Sequence, residues 1–221
     1  MRDLAIIVPS RGRPNSIAAL GVELFNTNTS ADLIVVVDDD DEQMNEYLEL
    51  GVDIFIVARD GKGMAKPLNK AASHFKDKYR HFAFLGDDHR PRTERWDEAF
   101  VKALDELGTG LVYGNDLFQG EQLPTAVAMT GDIVRALDGM VPPGMIHLYL
   151  DNFWLQLGKD LGAIRYLGDI IIEHLHPVAG KAEWDNNYRE VNAEEVYSAD
   201  AKAYRDYITG DAYKKLLEDL R

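Results

Sequence analysis

Two carboxylates and an imidazole follow a short apolar segment near the middle of the chain. Residues 81–85 are predicted to form a buried strand, and Asp87, Asp88 and His89 come just after it. Carboxylates and imidazoles bind divalent cations such as Mg²⁺ and Mn²⁺, whose sites often take their remaining ligands from phosphate and water. The residue types therefore predict a metal site that faces a phosphate. The alternative is a solvated turn, in which acidic residues are common.

Two histidines follow a later apolar run, which is predicted to form a strand over residues 164–172. His174 and His176 alternate with other residues, and we expect only one of them to point toward the metal. We prefer His176, because it lies nearer the strand end. In the alternative interpretation, one histidine faces the core and the other faces solvent.

Polar residues also follow the first two predicted strands. Ser10 and Arg11 come after the first strand, and a run of four aspartates begins at Asp38 after the second. The ends of parallel strands lie at one edge of a sheet, so these residues should share a cleft with Asp88. Cations near this cleft suit a diphosphate, although each could equally be ordinary surface charge. These cations are Arg11, Arg13, Lys62, Lys66, Arg90 and Lys181.

One further carboxylate could act on an acceptor group. Asp151 lies in a predicted helix over residues 148–157, beside Phe153 and Trp154. Apolar neighbours raise the pKa of a carboxylate, which suits a general base that deprotonates a hydroxyl group. A role in helix capping explains the same position equally well.

Strands and helices alternate over the first half of the chain, as in a doubly wound α/β fold. The apolar runs lack polar interruptions, which indicates strands covered on both faces and hence a largely parallel sheet. Strands are predicted at residues 4–8, 33–37, 53–57, 81–85, 111–113, 125–130 and 164–172, and helices at residues 16–25, 63–75, 95–107 and 148–157. Residues 177–192 are predicted to form a mobile loop, and residues 199–220 a charged helix.

Composition excludes several classes of protein. The 221 residues include 24 Lys and Arg against 38 Asp and Glu, a net charge of −14 that argues against a binder of nucleic-acid backbones. Cysteine is absent, so disulfides and thiolate catalysis are excluded. No apolar stretch approaches the roughly 20 residues of a membrane span, and no signal peptide is recognisable, so we expect a soluble cytoplasmic protein that does not bind membranes. The common phosphate-loop, nucleophile-elbow and dinucleotide-binding motifs are missing.

Over roughly residues 4–177, these motifs resemble those of nucleotide-sugar glycosyltransferases with the GT-A fold. Pro9-Ser10-Arg11, followed by Arg13, resembles the turn that lies along the nucleoside in that family, and Asp38 resembles the acidic residue that holds the base. Asn69, in the helix after the third strand, resembles an asparagine near the ribose and phosphates.

The resemblance extends to the metal site, with two ways of aligning it. Gly86-Asp87-Asp88 is similar to the family's D-x-D motif if Asp88 is the ligand, whereas Asp87-Asp88-His89 is similar to a D-x-H variant in which His89 binds metal. His176 resembles a late metal-binding histidine of the family. Asp151-Asn152 resembles the acidic motif that supplies the base in inverting members, with Asn152 in place of a second acid.

The resemblance implies a GT-A, Rossmann-like fold: a mixed, mostly parallel sheet flanked by helices, with a C-terminal helical tail. The catalytic domain would span residues 1–177, and the loop and helix over residues 178–221 would pack on it. The predicted site comprises the donor-binding residues Pro9, Ser10, Arg11, Arg13, Asp38, Lys66, Asn69, Asp87 and Lys181, the metal ligands Asp88, His89 and His176, and the catalytic residue Asp151.

The activity that this resemblance implies depends on Mn²⁺ or Mg²⁺ and transfers a sugar from a nucleoside diphosphate sugar, in the first instance a UDP-sugar, to an acceptor hydroxyl. The short chain also resembles bacteriophage glycosyltransferases, some of which modify hydroxymethylated bases in DNA and would work in the host cytoplasm. Lys66-Pro67-Leu68 resembles an element of sugar-nucleotide nucleotidyltransferases, although theirs follows the first strand and this one follows the third. A non-catalytic nucleotide- or sugar-binding protein is the other alternative, and Asn152 is its best support.

Overall fold

The computed structural model describes residues 1–176, 180–181 and 186–221. The strands are β1 (Arg2–Pro9), β2 (Asp32–Asp38), β3 (Asp53–Val57), β4 (Tyr79–Phe84), β5 (His89–Pro91), β6 (Leu111–Asn115), β7 (Val127–Thr130) and β8 (Ile164–His174). The helices are α1 (Pro14–Asn26), α2 (Met44–Leu48), α3 (Ala65–Phe75), α4 (Trp96–Leu107), α5 (Gly131–Leu137), α6 (Leu150–Leu161), α7 (Asn186–Val191), α8 (Glu194–Thr209) and α9 (Asp211–Asp219).

The strands form one mixed sheet in the order β3-β2-β1-β4-β7-β6-β8-β5. β1 pairs in parallel with β2 and β4, β2 with β3, and β6 with β8, whereas β7 runs antiparallel to both its neighbours and β5 runs antiparallel to β8. The predicted mixed, mostly parallel sheet flanked by helices is confirmed. The ends of β1, β2 and β4 lie at the same edge of the sheet, because these strands are parallel neighbours.

The sheet separates two apolar cores. Side chains of a strand alternate between its faces, so Ile6 of β1 packs into one core while Ile7 packs into the other, and both are fully buried. Helices α1 and α4 cover the first core, and α3, α5, α6 and α9 cover the second. This double coverage explains why β1 and β2 read as uninterrupted apolar runs.

The C-terminal helices pack against the second core. Tyr213 and Leu216 of α9 are buried there, and the Tyr213 hydroxyl donates a hydrogen bond of 2.8 Å to Asp160 of α6. The single helix predicted over residues 199–220 is in fact two helices that meet at Gly210. The mobile loop predicted over residues 177–192 lies partly outside the described residues, and its last part forms α7, so the prediction of a loop was wrong there. None of the described helices combines the length and apolar character that crossing a membrane requires.

Several short elements, among them α2, α5 and β5, were missed by the sequence reasoning. α2 and β5 have five and three residues, too few for a periodic pattern to show. β5 nevertheless pairs with β8, so that His89 lies opposite His174. Pro91 ends this strand at the edge of the sheet, where its missing N–H disrupts no ladder.

Truncation of a core side chain should cost far more than truncation of the same residue on the surface. Ile7→Ala removes a fully buried side chain and should lower the free energy of unfolding by about 2–5 kcal/mol. Ile56→Ala on β3 removes a side chain that is 47% exposed and should cost less than about 1 kcal/mol. Urea denaturation measures both values, and equal losses would contradict the described core.

Candidate functional site

A cavity of about 210 Å³ opens where β1, β2 and β4 end. It is bounded on the other side by the beginning of α6. The structure brings together ten of the predicted site residues along its walls: Pro9, Ser10, Arg11, Arg13, Asp38, Asp87, Asp88, His89, Asp151 and His176. The convergence of strand ends therefore does assemble a common cleft.

Three predicted donor-binding residues lie away from the cavity walls. Lys66 and Lys181 each form an ion pair with a nearby carboxylate, that of Asp60 or Glu173. The side-chain oxygen of Asn69 accepts hydrogen bonds from the backbone of residues 140 and 141, and its amide donates to a backbone carbonyl at 2.8 Å. Asn69 thus holds the loop between α5 and α6.

Three side chains in the cavity bring potential metal ligands together. Ligand atoms of Asp88, His89 and His174 all lie within 4.8 Å of one another. One Asp88 oxygen is 3.4 Å from His89 Nδ1, and the other is 3.2 Å from His174 Nε2. Two ligands of a tetrahedral ion, each about 2.1 Å from it, lie about 3.4 Å apart, so this spacing suits a single ion.

The antiparallel pairing of β5 with β8 positions the two imidazoles. It sets His89 opposite His174, and their rings stack with centroids 4.2 Å apart. Two stacked imidazolium cations would repel each other, which favours neutral rings. Burial, together with the neighbouring His174, lowers the pKa of His89. Neutral imidazole is the form that binds metal.

The preference for His176 over His174 does not match this cluster. His174 contributes the third ligand atom, while the His176 ring lies 5.0 Å from the His174 ring and lines the same cavity. Both histidines line the cavity, but only His174 belongs to the cluster. Residues two apart in an extended chain face the same side, so the two histidines do not exclude each other.

The two adjacent carboxylates have different environments. Burial raises the pKa of Asp87 to about 6, although Arg13 opposes the shift. Burial also acts on Asp88, but hydrogen bonds with His174 and His89 outweigh it and hold the Asp88 pKa well below its usual value. At neutral pH, Asp88 is therefore an ionised carboxylate, which is the form of this ligand that a metal ion requires.

The donor types in this cluster bear on which ion it suits. The ring nitrogens opposite those nearest Asp88, Nε2 of His89 and Nδ1 of His174, are buried without a hydrogen-bond partner among the described residues. A donor set of one carboxylate and two imidazoles suits Mn²⁺ and other first-row metals better than Mg²⁺, which prefers oxygen. Asp88, His89 and His174 are therefore the residues that could hold a metal.

Asp87 forms hydrogen bonds outside the cluster of Asp88, His89 and His174. This bears on whether Asp87 or His89 accompanies Asp88 as a metal ligand. The Ser10 hydroxyl donates to one Asp87 oxygen at 2.7 Å, and the Arg13 guanidinium approaches the other at 3.2 Å. Asp87 thus ties the segment after β1 to the end of β4. The geometry brings His89, rather than Asp87, to the metal ligands.

Gly86 explains why the motif departs from D-x-D. A Cβ at this position would lie 2.5 Å from Asp88 Oδ1 and 2.9 Å from His89 Nδ1, both far inside van der Waals contact. The Gly86 N–H also donates to His89 Nδ1 at 2.9 Å. A side chain at residue 86 and the observed position of His89 are therefore incompatible.

At the end of β2, Asp38 is held by two arginines. It forms ion pairs with Arg59 and, at 3.4 Å, with Arg11. Arg11 also pairs with Asp40 at 2.6 Å. Arg59 was missed by the sequence reasoning, although it follows β3 and the strand-end argument applied to β3 would have found it.

Tyr188 of α7 lines the cavity and contacts Asp88. Its hydroxyl donates to Asp88 Oδ2 at 2.6 Å, and its ring lies 4.0 Å from the Arg13 guanidinium. Trp184 and Asp185, which belong to the loop predicted over residues 177–192, lie outside the described residues. Tyr188 links α7 to both the carboxylate and the arginine.

Asp151 lies in the first turn of α6 and lines the cavity. Burial raises the pKa of its carboxyl group. One Asp151 oxygen accepts the N–H of Asn152 at 2.8 Å, as a residue at a helix start commonly does. The other oxygen leaves capacity to accept a proton from a ligand.

Adding one methyl group at Gly86 should weaken metal binding. Gly86→Ala would displace Asp88 and His89, and we expect the affinity for Mn²⁺ to fall roughly 10- to 100-fold, as for other disturbances of ligand orientation. Gly21→Ala, in α1, meets nothing within 4 Å and serves as the matched control. Calorimetric titration with Mn²⁺ measures both, and an unchanged affinity in Gly86→Ala would contradict the assigned ligands.

Two enzymes have solved structures with the same fold as this chain. The mannosyltransferase PcManGT from Pyrobaculum calidifontis, in complex with GDP-Man and Mn²⁺, has a TM-score of 0.59 at 14% identity, over 99% of this chain and 69% of its own. Glucosyl-3-phosphoglycerate synthase from Mycobacterium tuberculosis with phosphoglyceric acid has a TM-score of 0.64 at 12% identity, over 91% and 79%. The same synthase with Mn²⁺, UDP and glucosyl-3-phosphoglycerate has a TM-score of 0.57 at 13% identity, over 90% and 78%.

At these identities, structural similarity establishes the fold alone, and the family comes from sequence. A comparison with curated protein sequences gives no significant match. The sequence model of Glycosyl transferase family 2 matches residues 5–127, which is more than half of the chain. The chain therefore belongs to glycosyl transferase family 2, and the expected glycosyltransferase with a GT-A, Rossmann-like fold is confirmed.

Proposed function

We propose that this protein transfers a sugar from a nucleoside diphosphate sugar to an acceptor hydroxyl in a metal-dependent reaction. The observation that carries the proposal is the cluster of Asp88, His89 and His174 in the same cavity as Arg11 and Arg13. A metal site beside arginines matches what a diphosphate needs, because both offer positive charge to its oxygens.

The nucleoside end of the donor is assigned to the ends of β1 and β2. Asp38, Arg11 and Arg59 line that part of the cavity and hold each other in ion pairs. Structures of the same fold contain UDP with Mn²⁺ in one case and GDP-Man with Mn²⁺ in another. The nucleotide of the donor is therefore UDP or GDP, and UDP is the first candidate. Mn²⁺ is the preferred ion because two of the three ligands are imidazoles.

Charge stabilisation and proton removal are the two tasks of the site. When bound, the metal ion neutralises the charge that develops on the diphosphate as the glycosidic bond breaks. Arg13 adds a second positive charge at the same wall of the cavity. Asp151 accepts the proton of the acceptor hydroxyl, and its raised pKa suits that role.

Product release distinguishes the proposed activity from the two alternatives, a nucleotidyltransferase and a non-catalytic binding protein. A nucleotidyltransferase would release pyrophosphate from UTP and a sugar phosphate, and Lys66, on which that interpretation depends, lies outside the cavity walls. A binding protein would release nothing. Among possible acceptors, a hydroxymethylated base in single-stranded DNA is one to test. The net charge of −14 disfavours strong binding of a DNA duplex.

Nucleotides should stabilise the protein in a way that depends on metal and on Asp88. At a ligand concentration of about 100 times Kd, UDP or GDP with Mn²⁺ should add about 2.7 kcal/mol to the free energy of unfolding. Asp88→Asn should abolish the Mn²⁺-dependent part, whereas the exposed Asp77→Asn makes the same charge change and should retain it. Thermal-shift assays measure this, and metal dependence that survives in Asp88→Asn would refute the site.

Loss of the Asp151 carboxylate should slow turnover without weakening donor binding. Asp151→Asn should lower kcat by roughly 10²- to 10⁴-fold and leave the nucleotide-dependent thermal shift unchanged. A base works only when ionised, so the wild-type rate should fall as the pH drops through the Asp151 pKa, which lies above the usual carboxyl value of 3.8. Release of nucleoside diphosphate measures both effects. A rate in Asp151→Asn within threefold of wild type would exclude this base.

A further inference from the structure

A buried carboxylate of α8 holds the backbone turn that leads into α6. Asp200 is fully buried, and its oxygens accept three consecutive backbone N–H groups: Ile146 at 2.6 Å, His147 at 2.9 Å and Leu148 at 2.7 Å. Consecutive N–H groups that converge on one anion form a nest, so the charge of Asp200 fixes the path of the turn.

The same turn is held from two other directions. The N–H of Ala65 donates to the Ile146 carbonyl at 3.0 Å, and a Cβ on Gly63 would lie 2.2 Å from that oxygen. Tyr149, the next residue after the turn, has a φ of 63°, and its ring stacks against Tyr204 of α8 at 5.7 Å. A left-handed tyrosine persists only where its surroundings impose it, and such residues cluster at functional sites.

His147 lies in this turn, next to Leu148 and Tyr149, which also line the cavity. It lines the cavity together with Asp88 and Asp151, and its Nδ1 is buried without a hydrogen-bond partner among the described residues. Burial lowers the pKa of His147 to about 4, so the ring is neutral at physiological pH. A neutral imidazole offers one donor and one acceptor.

This chemistry selects a hydroxyl group as the ligand of His147. A neutral ring carries no charge with which to attract a diphosphate, whereas a hydroxyl group can both donate to it and accept from it. Within the proposed function, the transferred sugar must lie between the diphosphate at Asp88 and the base Asp151. His147 lies four residues before Asp151, in the turn that precedes α6, and both residues line the cavity.

We propose that His147 binds a hydroxyl group of the transferred sugar, and that Asp200 is the positioning residue that places His147 there. This inference rests on the proposed function and adds to it a sugar-binding residue and a structural reason for the C-terminal helices. α8 thereby contributes to the site through the backbone it holds.

The test compares the affinity for a nucleotide with the affinity for its sugar conjugate. Calorimetry in Mn²⁺ gives Kd for UDP and UDP-glucose, and for GDP and GDP-mannose. His147→Ala should weaken binding of the preferred sugar conjugate at least tenfold and leave the bare nucleotide within twofold. His147→Asn, whose amide occupies about the position of Nδ1, should restore the sugar conjugate to within threefold of wild type.

Variants of α8 test the positioning role. Asp200→Asn should lose the same sugar-dependent affinity, and adding His147→Ala to it should cause no further loss, because both changes act on one contact. Asp206→Asn, on an exposed residue of α8 paired with Lys202, is the matched control and should bind like wild type. His147→Ala leaves the Asp200 carboxylate intact, so the claim remains testable even if Asp200→Asn fails to fold.

Three results would overturn the inference. A His147→Ala variant that binds the sugar conjugate as wild type does would exclude His147 as a sugar ligand. An Asp200→Asn variant that weakens nucleotide and sugar conjugate equally would exclude positioning through His147. A wild-type protein that binds neither UDP nor GDP compounds would overturn the proposed function itself, which is distinguishable from the first two results.

Discussion

The antiparallel pairing of the three-residue strand β5 with the end of β8 is the interaction on which the site depends. It sets His89 against His174. One more backbone hydrogen bond follows this pairing, in which the N–H of Leu175 donates to the Asp88 carbonyl at 3.0 Å. These few hydrogen bonds join the segment after β4 to β8, the last strand along the chain. Without them, the carboxylate and the second imidazole would belong to separate parts of the molecule.

The site also depends on the partners that stabilise several carboxylates placed close together. The chain is strongly acidic, and three of its carboxylates, Asp38, Asp87 and Asp88, meet at one sheet edge. Each has a different set of partners: arginines for Asp38, a hydroxyl group and Arg13 for Asp87, and two imidazoles and Tyr188 for Asp88. Fixed charges and dipoles of this kind are what an enzyme uses to stabilise a charged transition state without reorganisation.

The C-terminal helices stabilise the part of the cavity wall formed by α6 and the turn before it. α9 packs on α6 through Tyr213, and α8 holds the turn before α6 through Asp200. The part of the cavity wall that carries His147 and Asp151 is therefore anchored by the two C-terminal helices, α8 and α9. The side of the cavity that carries Asp88, His89 and His174 is held by the pairing of β5 with β8.

Local sequence determined most of the sheet and one side of the site. The apolar runs at β1, β2 and β4 follow from burial on both faces, and the polar residues after them converge because parallel strands end at one edge. That argument was enough to bring Ser10, Asp38 and Asp88 to one cavity.

Only the tertiary structure decided which side chains make contact there. The choice of His174 over His176 follows from the register of β5 on β8, and the position of Asn69 away from the cavity follows from a loop distant in sequence. The three N–H groups that meet Asp200 belong to another part of the chain and carry no side-chain signature. Periodicity records which face of an element is buried, whereas contacts between distant segments depend on register and packing, which no local pattern encodes.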